Sequence, residues 1–114
     1  MPDKERKIPR AKMSAPERDQ RSQLAQLAHG AGLLRGTLAV RERVCGKPNC
    51  KCAKGKRHVS LYLVASYEGH PRQLFIPKDF EPQVRRWVQQ YQEARKLLEE
   101  ISLLYWDKVR KRQK

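Results

Sequence analysis

Residues 60–76 read SLYLVASYEGHPRQLFI, and the chain continues through PKDFEP at 77–82. Ser60 to Tyr67 is rich in Leu, Tyr and Val, the composition of a strand. Glu68, Gly69, His70 and Pro71 are turn formers, and Gln73 to Ile76 is a second short apolar run, so the stretch predicts a β-hairpin. Pro77 to Glu81 then opens a helix, with Asp79 as its cap and Pro82 in the first turn, where a missing N–H costs nothing. A hairpin that runs directly into a helix sets the class as α+β.

Upstream, Thr37 to Val44 alternates loosely and supplies a third piece, completing a small antiparallel sheet. Before it, Ser14 stands three residues ahead of Glu17 with Pro16 between them, a capping-box signature for a helix start. Leu24, Leu27, Ala28, Ala31 and Leu34 follow at helical spacing, weakened by Gly30 and Gly32, which predicts a helix over 15–29 that frays toward Leu34. Downstream, Val84, Tyr91, Leu98 and Tyr105 recur every seven residues, with Trp87, Ala94 and Ile101 three residues after the first three of them. Thirty helical residues span about 45 Å. The far half of such a helix has to lie against the first helix, against a second protomer, or in the open. Val84, Trp87, Tyr91, Leu98, Ile101 and Tyr105 are thus the residues of an interaction helix if the stripe is a coiled coil, and core residues if it faces its own domain.

The expected organisation is a disordered basic arm over 1–13, one α+β domain over 14–107 and a basic tail over 108–114. Within the domain, 45–58 forms a zinc-knuckle-like loop inserted into the sheet, and 79–109 the long helix. At 114 residues there is room for one core. Apolar residues make up 39% and charged residues 33%, and the mean hydropathy is −0.88. No apolar run approaches the roughly 18 residues of a membrane span, and no signal peptide or anchor is read.

Charge is the dominant compositional fact: 26 Lys and Arg against 12 Asp and Glu give +14. Such an imbalance repels itself and is compensated by a polyanion. From Arg35 to Arg57 there are eight basic residues (Arg35, Arg41, Arg43, Lys47, Lys51, Lys54, Lys56 and Arg57) against Glu42 alone, a local +7. Lys108, Arg110, Lys111, Arg112 and Lys114 close the chain without an acid. Nucleic acid is the expected partner; a solvated surface, an anionic membrane or an acidic protein are the alternatives.

All three cysteines, Cys45, Cys50 and Cys52, fall within eight positions, followed by His58. Three cysteines do not pair off within one chain, and a Cys/His cluster suits tetrahedral zinc. Gly46 to Asn49 make the turn that brings Cys45 back toward Cys50. Cys45, Cys50, Cys52 and His58 are therefore the expected ligands of a closed structural Zn2+ site. The single residue between Cys50 and Cys52 is unusual for a zinc knuckle, and His70 is the substitute donor if one of that pair does not ligate. Two other readings remain open: thiols made reactive by the surrounding Lys and Arg, and inert reduced thiols.

The run LRGT at 34–37, the segment CGKPNCKC at 45–52, His58, Tyr62, the Pro77-Lys78 step and the long helix resemble a family of small, uncharacterised bacterial proteins with a domain of unknown function. The likeness covers roughly 24–105, and the cysteine segment is its most specific part. It departs from the family pattern, which has Gly and Pro between the histidine and the tyrosine, in having Val59, Ser60 and Leu61 there. The resemblance implies a bacterial, cytoplasmic setting and a Cys/His site.

These residues predict a zinc-stabilised, basic nucleic-acid-binding accessory protein, non-enzymatic, holding DNA or RNA chiefly by its phosphates. Tyr62, Tyr67 and Phe75 stack bases only if the sheet face is open, and on three strands they are expected in the core. The alternative is a protein-interaction or dimerisation module that docks through the long helix. An enzyme is the least supported class: Glu99 and Glu100 are adjacent on a helix and point apart, and His29 and His70 are isolated.

Overall fold

The computed structural model describes residues 7–43 and 58–112. They form two compact units: Gly32–Gln92 is one, and the chain up to Ala31 together with Glu93 onward is the other. The elements in chain order are α1 (Ala15–Gly30), β1 (Thr37–Arg43), β2 (His58–Tyr67), β3 (His70–Ile76) and α2 (Glu81–Arg112), with single 3-10 turns at Arg10–Lys12 and Lys78–Phe80. This is the expected α+β architecture: an N-terminal helix, a three-stranded antiparallel sheet and a long C-terminal helix.

In the sheet-containing unit, β2 is central and both neighbours run antiparallel to it. The hairpin is tighter than its composition suggests. Tyr67 pairs with His70, and the two residues between them both have positive φ, 53° at Glu68 and 80° at Gly69. A two-residue turn of that kind matches the twist of the strands it joins. His70 and Pro71 accordingly belong to β3 instead of the turn. Pro71 is tolerated because β3 is an edge strand, where one side of the backbone has no ladder to complete.

Leu61 and Leu63 point to one face of β2 and are buried with Ile76, Val84 and Val88, while Leu34 and Leu38 pack at the margin. Val84 and Val88, four residues apart, present one side of α2 to the sheet. A helix about 10 Å across covers roughly two strands spaced about 4.8 Å apart, so Val40 and Leu74 on the flanking strands share the covered face yet stay exposed. Two glycines allow this packing. A Cβ on Gly36 would lie 2.6 Å from Leu63 Cδ1, and one on Gly32 would lie 2.2 Å from the Trp87 ring. Leu34 N also donates to Trp87 O at 3.2 Å, which ties the strand entry to α2.

Asp79 does not cap the long helix. Phe80 N donates to Pro77 O at 3.0 Å, so Lys78–Phe80 close a 3-10 turn with Asp79 inside it, and α2 starts directly after, at Glu81. Pro82 sits in its first turn, as expected. Phe80 meets Trp87 edge to face with ring centroids 5.4 Å apart.

The second unit is a helical hairpin. Ser14 Oγ accepts from Glu17 N at 3.3 Å and caps α1, which ends at Gly30 with Ala31 N donating to Leu27 O. Side-chain bonds join α1 to the later part of α2 in antiparallel order: Glu17 with Tyr105, and Gln20 with Glu100. Of the places open to the far half of the long helix, the structure selects the first helix. Ala94 and Ile101 are buried, as Val84 is in the other unit, whereas Leu98 is 55% exposed. Leu103, Trp106 and Val109 are exposed as well.

Candidate functional site

Strand alternation decides which side chains lie opposite the Leu61 and Leu63 face. On β2 these are Ser60, Tyr62 and Val64; register brings Ala39 and Phe75 opposite Tyr62, Arg41 opposite Ser60, and Gln73 opposite Val64. Among the described residues, no layer of this unit covers them. Phe75 is 53% exposed and Tyr62 is half-buried. The expectation that these aromatics belong to the core therefore fails, because among the described residues a single helix segment covers the three-stranded sheet from one side only. The two rings meet edge to face at 5.8 Å and 70°, and the Arg41 guanidinium lies 5.4 Å from the Tyr62 centroid. Arg41, Glu42, Ser60, Tyr62 and Gln73 line a shallow groove of about 410 Å³.

At the hairpin end of the sheet, two cations lie over the Tyr67 ring, Arg35 at 4.1 Å from its centroid and Arg72 at 5.9 Å. Arg35 also donates to the Ser66 carbonyl. Among the described residues, no carboxylate pairs with Arg35, Arg41 or Arg72; the ion pairs are those of Arg21 and Lys108 with Glu17 and of Arg110 with Asp107. Arg35, Arg41 and Arg72 lie over aromatic rings, an arrangement worth about 0.5–1 kcal/mol per contact when solvated. A guanidinium held so weakly is free to exchange its ring for a phosphate.

At the opposite end, Arg43 is paired with His58, so β1 leaves and β2 re-enters the sheet side by side. Cys45, Lys47, Cys50, Lys51, Cys52, Lys54, Lys56 and Arg57 belong to the connecting segment and lie outside the described residues. His70 is at the far end of β2 from His58, nine residues at about 3.3 Å each, or roughly 30 Å. That distance removes it as a substitute donor for a ligand set that includes His58. Among the described residues no group of three His, Cys, Asp or Glu side chains is arranged to hold a metal.

Residues 14–86 match the family described as Domain of unknown function (DUF6788), more than half of the chain. The chain belongs to this family. No curated protein and no solved structure matches it. The DUF6788 span takes in α1, the whole sheet and the first residues of α2, and it ends at Arg86, so Leu98, Leu103, Trp106 and Val109 lie outside it.

One cluster in this DUF6788 protein escapes sequence reading. Glu17 has no exposed surface, although the capping-box pattern places its side chain back over the helix end. Instead its Oε2 accepts from Tyr105 Oη at 2.7 Å and from Arg21 Nε at 2.6 Å, while Arg21 Nη2 donates to Tyr105 Oη at 3.2 Å. Among the described residues Oε1 has no hydrogen-bond partner, and it faces Lys108 Nζ at 3.8 Å. The Tyr105 hydroxyl holds the carboxyl below its usual range; burial opposes this, and Arg21 and Lys108 add to the lowering. Glu17 in turn raises Arg21, with Tyr105 contributing. The Glu17-to-Arg21 spacing is visible in the sequence, but nothing there links Glu17 to a tyrosine 88 residues on.

These contacts redistribute the interaction-helix residues. Val84 and Ile101 are buried by their own chain, Trp87, Tyr91 and Tyr105 are half-buried, and Leu98 alone of the six is mostly exposed. In the basic tail, Lys108 lies 4.3 Å from the Tyr105 centroid, Arg110 lies 3.5 Å from Asp107, and Lys111 and Arg112 are exposed.

Proposed function

We propose that this protein is a non-enzymatic, zinc-stabilised nucleic-acid-binding accessory protein of the bacterial cytoplasm, holding its partner mainly through phosphates. The carrying observation is the end of the sheet where Arg41 and Arg43 enter the connecting segment. The open sheet face leads there into residues 44–57, which carry five basic residues and no acid, a net charge of +5. A phosphate backbone is the counter-charge that suits such a density. No helix among the described residues is long and apolar enough to cross a membrane.

The pairing of Arg43 with His58 also supports the metal reading. Paired Cα atoms stand about 4.5–5.5 Å apart, and Cys45 is two residues from Arg43, so the two ends of the Cys45, Cys50, Cys52 and His58 set start from one place. Zinc there would supply folding free energy to a segment poor in large apolar residues and leave its lysines free for phosphates.

A second reading rests on Leu98, Leu103, Trp106 and Val109, exposed apolar side chains that suit a protein partner or a second copy of the chain. The DUF6788 span contains the sheet and excludes these four residues, which favours the first reading.

Fluorescence anisotropy against duplex DNA, single-stranded DNA and structured RNA over a range of salt tests the proposal. A slope of log affinity against log salt of about −4 to −7 is expected, corresponding to about five to eight neutralised phosphates. Reversing Lys51, Lys54, Lys56 and Arg57 is expected to abolish binding. Weak, salt-independent binding to all three probes overturns the reading and transfers the function to the distal helix.

A further inference from the structure

We infer that the open face of the sheet is a stacking platform for unpaired bases, and that the partner of this protein is a single-stranded nucleic acid. The inference rests on the nucleic-acid reading above and adds the form of the ligand and the residues that receive it. Phe75 and Tyr62 take base faces, Arg41 takes an adjoining phosphate, and Ser60 and Gln73 offer hydrogen bonds to base edges from the groove they line.

Phe75 is the clearest signal. A side chain with no polar atom is 53% exposed on an edge strand beside Tyr62, where covering it would recover about 25 cal/mol for each Å² removed from water. Its contact with Tyr62 is edge to face at 70°, so the two rings do not stack on one another and a base face remains open. Beside Tyr62 on β1 stands Ala39, and beside Arg41 on β2 stands Ser60, both small. The aromatic pair therefore rises from a low floor with a cation at its edge.

The chemistry of the surface selects the occupant. An apolar partner surface would match the aromatic pair but not Arg41, nor the net +5 of residues 42–57 that follow it along the chain. A duplex matches the charge but hides its base faces in its own stack. A single strand offers both, a backbone charge at every step and a π-face on every base, and stacking of this kind is tolerant of sequence. Among the described residues no carboxylate forms an ion pair with Arg41, although Glu42 lines the same groove, and Arg41 leaves its Tyr62 contact at small cost.

The test uses the full chain with fluorescein-labelled oligothymidylate, oligouridylate and a blunt DNA duplex of equal length, at fixed moderate salt and across a salt range. Wild-type protein is expected to bind both single strands more tightly than the duplex, and either order between thymidylate and uridylate agrees with the inference. Phe75→Ala and Tyr62→Ala are each expected to weaken single-strand binding by about 5- to 150-fold with an unchanged salt slope. Both should change duplex binding less than twofold. Phe75→Tyr should restore single-strand affinity, and Arg41→Gln should lower the salt slope by about 1. Phe75 is exposed enough for its truncation to leave the fold intact, which circular dichroism of each variant checks. Wild-type-like affinity of a folded Phe75→Ala for single strands overturns the platform and leaves phosphate binding standing; equal affinity of wild type for duplex and single strands does the same. Failure of wild type to bind any of the three probes overturns both.

Discussion

Replacing Glu17 tests the helical hairpin at the contact that holds it most specifically. In Glu17→Ala the Tyr105 hydroxyl loses its acceptor and Arg21 loses its carboxylate partner. A hydrogen bond to a charged group contributes about 1.5–3 kcal/mol, and the half-buried Tyr105 bond is assigned the middle of that range. Arg21 is 41% exposed and its pair is discounted to about 0.5–1 kcal/mol for solvent screening. Lys108, 55% exposed and 3.8 Å away, adds little. The loss is then about 2–4 kcal/mol at neutral pH, or a fall in Tm on the order of 10 °C for a chain of this size.

The pH dependence has a definite sign. The carboxyl of Glu17 is lowered from an ordinary value of 4.5, so the unfolded chain takes up the proton first as pH falls. Its contribution is complete above about pH 4.5 and is lost as pH falls through the lower folded value. Wild type and Glu17→Gln should therefore differ most near neutrality and converge as pH falls below 4.5 and through the lower folded value, measured by thermal unfolding followed by circular dichroism. A Glu17→Ala protein melting within about 2 °C of wild type at pH 7, or a Glu17→Gln gap that is constant with pH, refutes the assignment.

Gly36→Ala should destabilise by about 1–3 kcal/mol in urea, because the new Cβ meets Leu63 Cδ1 at 2.6 Å and Leu63 is buried in the core; an unchanged midpoint would show that Leu63 can move aside. Purified protein should contain one zinc per chain by elemental analysis, and removing it with a strong chelator should lower Tm and expose three titratable thiols. Metal-free protein of undiminished Tm would refute the zinc site and leave Cys45, Cys50 and Cys52 as reactive or inert reduced thiols.

How legible each element was follows from how local its cause is. The cap at Ser14, the strands around Leu61 and Leu63 and the heptad of α2 rest on neighbours within a few residues, and all three are readable as patterns. Asp79 misleads because capping propensity does not anticipate the turn that Pro77 and Phe80 close around it. His70 and Pro71 mislead because turn-forming residues occur equally well at the end of an edge strand, and positive φ at Glu68 and Gly69 completes the turn without them. Phe75 misleads because an apolar strand residue reads the same whether its face is covered or open.

From the order of its residues alone, this chain determines its elements, its charge and the presence of a cysteine cluster, since periodicity, net charge and spacing are properties of the sequence itself. Which face of the sheet α2 covers, and that α1 lies against the far half of the long helix, depend on contacts between residues tens of positions apart. The exposure of Phe75 beside Arg41 and the burial of Glu17 beneath Tyr105 are of this kind. Only the tertiary structure decides them, because burial is a property of what lies above a side chain and not of the side chain.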